Sequence, residues 1–344
     1  MSEVAPTPGS NEANAASAGD AADARPDQAT PVHPRPPTPV EPKVEKKRSE
    51  LTRRLLTAAV LVPLVLYVVY LGGLWYLGTV VAIILLGQRE IYGLIEDKGA
   101  HPLIGFGLVA GAALPVVAYI GTEYHATVLM TATLLAVMLL QLGKAQITEA
   151  LASISGTFFG VFYVGWLMSH AVVLREFHDA AVSHAGVLAV NQLQIAPEAG
   201  IFFMCMVLTN VVWSDAGAYF AGRAYGRRKL APKISPGKTV EGALGGVLGG
   251  TLGALAVKLV FDLFWPQLSQ SLPWAAVLVF GIVIAVVAIV GDLVESLLKR
   301  DAQVKDAGKL LPGMGGVLDR IDSFLLGIPV MYYLLLFYVF LRVG

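Results

Sequence analysis

Nine apolar runs follow one another from residue 55 to the end of the chain, at 55–71, 74–95, 103–120, 126–142, 154–174, 200–222, 240–263, 274–295 and 324–341. A helix crosses a bilayer's hydrocarbon core with roughly 20 residues. Helices are the default for such runs, because backbone polar groups in lipid must be satisfied within the segment. The pattern predicts an all-α, polytopic transmembrane bundle of about nine spans. Only Gly72 and Gly73 part the first two runs, which predicts a tight hairpin there. The seventh run carries small residues four apart, at Gly242 and Gly246 and at Gly249 and Gly253. That spacing predicts a face for close helix packing. Neither half of the chain repeats the other, which disfavours an inverted-repeat transporter.

Composition agrees with lipid as the solvent. Of 344 residues, 56% are hydrophobic and 15% charged, against about 25% charged in soluble domains. Mean hydropathy is +0.66. Residues 1–42 are rich in Ala, Pro, Asp, Thr and Ser. Such a stretch buries too little apolar surface to offset its ordering entropy and is predicted to be disordered. With the charged stretch that follows, residues 1–50 are expected to form a tail on the inner side, and 51–344 a membrane domain whose candidate chemistry lies in 200–344. The first apolar run comes late and has no small-residue cleavage site, which argues against a signal peptide. The single cysteine, Cys205, cannot form an internal disulfide.

The formal net charge is zero, so only the distribution of charge informs. With the N-terminus inside, the inner segments collect most of the 25 lysines and arginines. By the positive-inside rule the N-terminus is cytoplasmic. With nine spans the C-terminus then lies outside. Trp75, Tyr76, Trp265 and Trp274 fit an aromatic belt at the outer interface.

The two late inner loops hold Arg223, Arg227, Arg228, Lys229, Lys233 and Lys238, then Lys299, Arg300, Lys305, Lys309 and Arg320. Basic loops by themselves need only obey orientation and touch anionic headgroups. The acids change the picture. Asp292, Glu295, Ser296 and Lys299 fall at i, i+3, i+4 and i+7, on one helical face. Asp319, Arg320 and Asp322 give a second carboxylate pair, and between the pairs lies the glycine-rich turn 311–316. Hard oxygen ligands on neighbouring segments suit Mg²⁺, which takes one or two carboxylates plus substrate phosphates. Asp215 lies inside the sixth run and needs a partner or an ion. Lys238 and Thr239 precede a helix start, a usual place for phosphate. The GKT there is not a phosphate-binding P-loop, since the required earlier glycine is Pro232. His178, Asp179 and His184 read as a solvated outer loop. Glu90, beside Arg89 near an inner helix end, either lines the site or pairs with its neighbour.

Ser296, Lys299, Arg300, Lys305, Asp306, Leu311, Pro312, Gly315, Gly316, Asp319, Arg320 and Asp322 together resemble the signature of the phosphatidate cytidylyltransferases, or CDP-diacylglycerol synthases. The segment 235–242 and the stretch from Asp215 to Arg223 resemble other blocks of that family. The resemblance runs from about Arg54 to the C-terminus. It implies transfer of CMP from CTP to phosphatidate, releasing pyrophosphate. It implies Asp292 and Asp319 as metal ligands for Mg²⁺, with room for a second cation. Ser296, Lys299, Arg300, Lys305, Asp306, Arg320 and Asp322 would hold phosphates or orient those ligands. Ser235, Lys238, Thr239 and Glu241 would contact nucleotide or phosphate. One position departs: the family pattern has a histidine in the glycine turn where this chain has Met314, and a thioether neither donates a hydrogen bond nor takes a proton. Expected partners are CTP, phosphatidate and membrane lipid, with no nucleic acid. Small-residue faces fit a homodimer. The expected location is the bacterial inner membrane, with the site facing the cytoplasm. A CDP-archaeol synthase, a CTP-dependent polyprenol kinase, a non-catalytic relative and a transporter stand as alternatives.

Overall fold

A computed structural model describes residues 60–121, 123–144, 147–308, 310 and 315–343. The tail at 1–50, Lys309 and the turn residues 311–314, including Met314, lie outside the described residues. Within the described residues, all nine apolar runs are helical. They become α1 (Val60–Leu71), α2 (Gly73–Glu96), α3 (Ile104–Ile120), α4 (Glu123–Leu142), a span built of α5 (Ala150–Gly160), a π-helical turn (Val161–Trp166) and α6 (Leu167–Arg175), then α8 (Ala199–Tyr225), α9 (Val240–Phe264), α11 (Trp274–Asp301) and α12 (Leu318–Val343). Seven of these helical segments are long and apolar enough to cross a membrane; α1 and α3 are shorter. The chain is an all-α, polytopic integral membrane protein.

Two short helical stretches and a hairpin were not foreseen. The stretch with His178 and His184 is no loop but α7 (Phe177–Gln192), kinked at Gly186. Phe177, Ala181 and Ala189 are buried along it, so packing at four-residue intervals holds a helix too mixed in composition to read as a span. A short α10 (Pro266–Ser269) follows α9. Between α8 and α9 the chain forms a two-stranded antiparallel hairpin, β1 (Lys229–Ala231) and β2 (Ser235–Thr239), with Lys229 opposite Thr239.

The small residues of α9 act as their spacing predicts. Gly242, Gly246, Gly250 and Gly253 are buried, while Leu244, Leu248 and Leu252 are exposed on the other side. A Cβ on Gly249 would stand 2.5 Å from the Trp213 carbonyl oxygen of α8, and one on Gly250 2.8 Å from the Ala285 methyl of α11. Where the three backbones meet, the Asn210 side-chain amide donates to the carbonyls of Gly250 (2.9 Å) and Gly281 (2.8 Å). Small residues permit the approach, and buried polar groups then bridge the helices. The result fixes the ends of α8, α9 and α11 beside one another, which is where the charged residues lie.

At Gly72 the chain reverses between α1 and α2 with φ 62°. The buried Arg175 guanidinium reaches this turn, its Nε donating to the Val69 carbonyl (2.7 Å). An otherwise orphaned carbonyl near the end of α1 is satisfied in this way.

Candidate active site

Five elements end together: α8, the hairpin, the start of α9, the end of α11 and the start of α12. The hairpin is tied down from both sides. Thr239, in an extended conformation, caps α9 by accepting the Gly242 N–H (3.1 Å), as Thr does at helix starts. Glu241 accepts the N–H groups of Arg227 (3.0 Å) and Arg228 (3.2 Å), and its charge in the first turn suits the helix dipole. Arg300 Nε donates to the Ile234 carbonyl (3.3 Å). These contacts aim Lys238 inward, where its Nζ pairs with Asp292 Oδ2 at 2.6 Å.

A cavity of about 470 Å³ opens beside that pair, its walls including Asp215, Tyr219, Arg223, Lys238, Thr239 and Asp292. Residues 215, 238 and 292 are far apart in the chain and meet here because α8, α9 and α11 pack so closely.

The second part of the site lies between α11 and α12. Carboxylate oxygens of Asp292, Glu295 and Asp322 all fall within 4.8 Å of one another, and Glu295 is fully buried. Ser296 donates to Asp292 Oδ1 (3.3 Å). Lys299 pairs with Glu295 and with Asp319 Oδ1 (2.7 Å). Asp319 also accepts the backbone N–H groups of Ala307 (3.1 Å, to Oδ2) and Gly316 (2.7 Å). Gly315 has φ 86°, and a Cβ there would stand 2.7 Å from Asp319 Oδ2. Glycine lets the turn approach this carboxylate from the left-handed region.

Close carboxylates repel and are costly beside lipid unless a positive charge joins them. Lys238 and Lys299 supply two such charges at the margins. The three converging carboxylates form a hard-oxygen donor set of the kind that suits Mg²⁺. Both carboxylate pairs singled out in the sequence thus meet. Asp292 stands in the three-carboxylate group, whereas Asp319 is joined to it through the Lys299 that it shares with Glu295. Lys305, Asp306 and Arg320 are exposed, and Ser235 is half-buried in β2.

Sequence reasoning left Glu90 of α2 unassigned. Its carboxylate accepts the N–H groups of Val317 (3.0 Å, to Oε1) and Leu318 (2.7 Å, to Oε2) at the start of α12. The available signal was an ionisable group near the end of an apolar run. Its partners lie more than 220 residues further along the chain, beyond the reach of any local pattern.

Comparison with known proteins adds an independent line. A sequence model described as the Cytidylyltransferase family matches residues 52–338. A phosphatidate cytidylyltransferase of Synechocystis is 34% identical over 294 residues, covering 82% of this chain and 95% of that protein. A chloroplastic phosphatidate cytidylyltransferase 5 of Arabidopsis thaliana is 31% identical, over 82% of this chain and 71% of its own length. The Bacillus subtilis phosphatidate cytidylyltransferase is 46% identical over 136 residues, a match to 39% of this chain and 46% of that protein.

Proposed function

From the premise that this chain belongs to the cytidylyltransferase family, we propose that it transfers CMP from CTP to phosphatidate, giving CDP-diacylglycerol and pyrophosphate for phospholipid synthesis. The observation that carries this reading is the meeting of a three-carboxylate group, two paired lysines and a cavity at one end of the helices. Such alternating charge would be self-cancelling as a plain ion-pair network. It serves where a cation and a polyphosphate are held together.

A phosphatidate oxygen attacks the α-phosphorus of CTP in line. The bond from that phosphorus to the bridging oxygen breaks, and pyrophosphate leaves with the electron pair. A phosphomonoester with a second pKa near about 6 is largely ionised at neutral pH, so no strong base is needed. Catalysis is then positioning and charge neutralisation. Lys238 and Lys299 stand where phosphate charge is to be met. Arg223, at the cavity wall beside Tyr219 (3.1 Å), serves the lipid phosphate or the triphosphate at the mouth. Asp292, Glu295 and Asp322 are the carboxylates that would hold Mg²⁺. Asp319 orients Lys299 and stands ready as a further ligand, which leaves room for a second cation. When bound, the cation neutralises phosphate oxygens and aligns the triphosphate. Phosphatidate enters from the bilayer and CTP from the cytoplasm, the side to which the positive-inside bias assigns this end. A bacterial inner membrane fits that orientation.

Incubating the purified chain with CTP and phosphatidate in detergent, with and without Mg²⁺, tests the reading. The expected product is a cytidine-bearing lipid together with pyrophosphate, formed only with the metal. A lipid that gained phosphate but no cytidine would sink it in favour of a kinase, and no lipid product at all would favour a non-catalytic relative.

A further inference from the structure

We infer that Glu90 is a positioning residue for this reaction, an anionic clamp from the N-terminal half that fixes the helix start carrying Asp319 and Asp322. The inference rests on the function proposed above.

The first N–H groups of any helix lack intrahelical partners. Normally a Ser, Thr, Asp or Asn at the N-cap takes them. Here Arg320 N–H bonds back to the Val317 carbonyl (2.9 Å), so Val317 occupies the cap position, and neither Val317 nor Gly316 has a side-chain acceptor. Asp319 reaches back to the Gly316 N–H. The next two donors, Val317 and Leu318, go one to each oxygen of Glu90. The α12 start has borrowed its cap from α2, and a carboxylate there also suits the helix dipole.

The loop confirms how closely the chain wraps that group. A Cβ on Gly308 or on Gly316 would fall inside contact distance of the Glu90 carboxylate oxygens. One turn below, Gly87 of α2 leaves room for Ile321 of α12, 3.2 Å from where a Cβ would be. The nearby pair of Lys98, just after α2, with Asp301 at the end of α11 (3.1 Å) is exposed on both sides and contributes little. Among the described residues, Glu90 is the side chain of the N-terminal half that bonds to the backbone at the start of α12. Its loss frees the turn that sets Asp319 against Lys299, and with it the spacing of the carboxylates that face the triphosphate.

The test uses the full chain in detergent with Glu90→Ala and Glu90→Gln, and Lys98→Ala as control. Hydrogen exchange reads the clamp without any substrate: the amides of Val317 and Leu318 should exchange about tenfold faster or more in both Glu90 variants. In the CTP and phosphatidate assay, kcat should fall about 10- to 100-fold, the Mg²⁺ concentration for half-activation should rise, and the phosphatidate KM should hold. Glu90→Asp should recover part of the rate. Lys98→Ala should stay within about twofold of the parent. Unchanged exchange at Val317 and Leu318 overturns the clamp. Faster exchange with an unaltered kcat and Mg²⁺ midpoint overturns its role in positioning and leaves only a structural cap. Should the unmutated chain form no cytidine-bearing lipid, the proposed function fails, while the exchange result still decides the clamp.

Discussion

Among the described residues, Asp319 gathers several of the site's polar contacts. It holds Lys299 and accepts from the backbone at Ala307 and Gly316. Asp319→Ala removes all of these and leaves Lys299 and Glu295 to rearrange. Turnover should fall by at least about 100-fold, with normal membrane insertion, as measured by CTP-dependent product formation in purified protein. Near-parental activity would refute the site assignment. Lys238 poses a different question, because it faces both Asp292 and the cavity. Lys238→Met keeps the aliphatic stem and removes the charge. It should raise the KM for CTP about tenfold or more, since charge-assisted contacts contribute roughly 1.5–3 kcal/mol. An unchanged KM would separate Lys238 from the nucleotide. Thr239 lines the cavity and also caps α9. Thr239→Ala should cost about 1 kcal/mol through loss of the cap, read as a lower melting temperature, with Thr239→Ser close to the parent.

Among the elements, α9 decides most. Its glycines bring α8 and α11 within backbone contact, and this apposition sets Asp215, Lys238 and Asp292 around one cavity. Gly249→Leu would drive a side chain into the Trp213 carbonyl. Overpacking of this kind costs typically 1–3 kcal/mol, and the added helix separation should lower activity more than it lowers the yield of inserted protein. Comparison of specific activity with melting temperature in detergent checks this; loss of stability without loss of activity in the remaining folded protein would show that the close approach serves packing alone. The four-residue glycine spacing was legible because helix geometry is local. The hairpin 229–239 was not, because its two short strands are held by side chains from α9 and α11 rather than by any apolar alternation of their own. The helix at 177–192 escaped for a similar reason: it buries Phe177 and Ala181 in the tertiary structure, while its apolar residues follow no one-sided helical pattern and Gly186 interrupts it.

For the molecule as a whole, the cation and the orientation are the tests that matter. Chelation of divalent metal should abolish product formation reversibly, with Mg²⁺ restoring it. Orientation can be read with an impermeant thiol reagent, with the parent chain as the control for the single, partly buried native Cys205. Asp301→Cys should be labelled from the cytoplasmic face of sealed vesicles only; labelling from the opposite face would reverse the assignment. The membrane character, the helical class, the positions of the nine apolar runs and the two carboxylate pairs were all set by the sequence, because hydropathy, helical periodicity and charge are properties of short segments. Which groups meet was decided only by tertiary structure. The sharing of Lys299 between Glu295 and Asp319, the convergence of Asp292, Glu295 and Asp322, and the cap that Glu90 lends to a helix in the other half all depend on how helices pack, and packing joins residues that no local pattern connects.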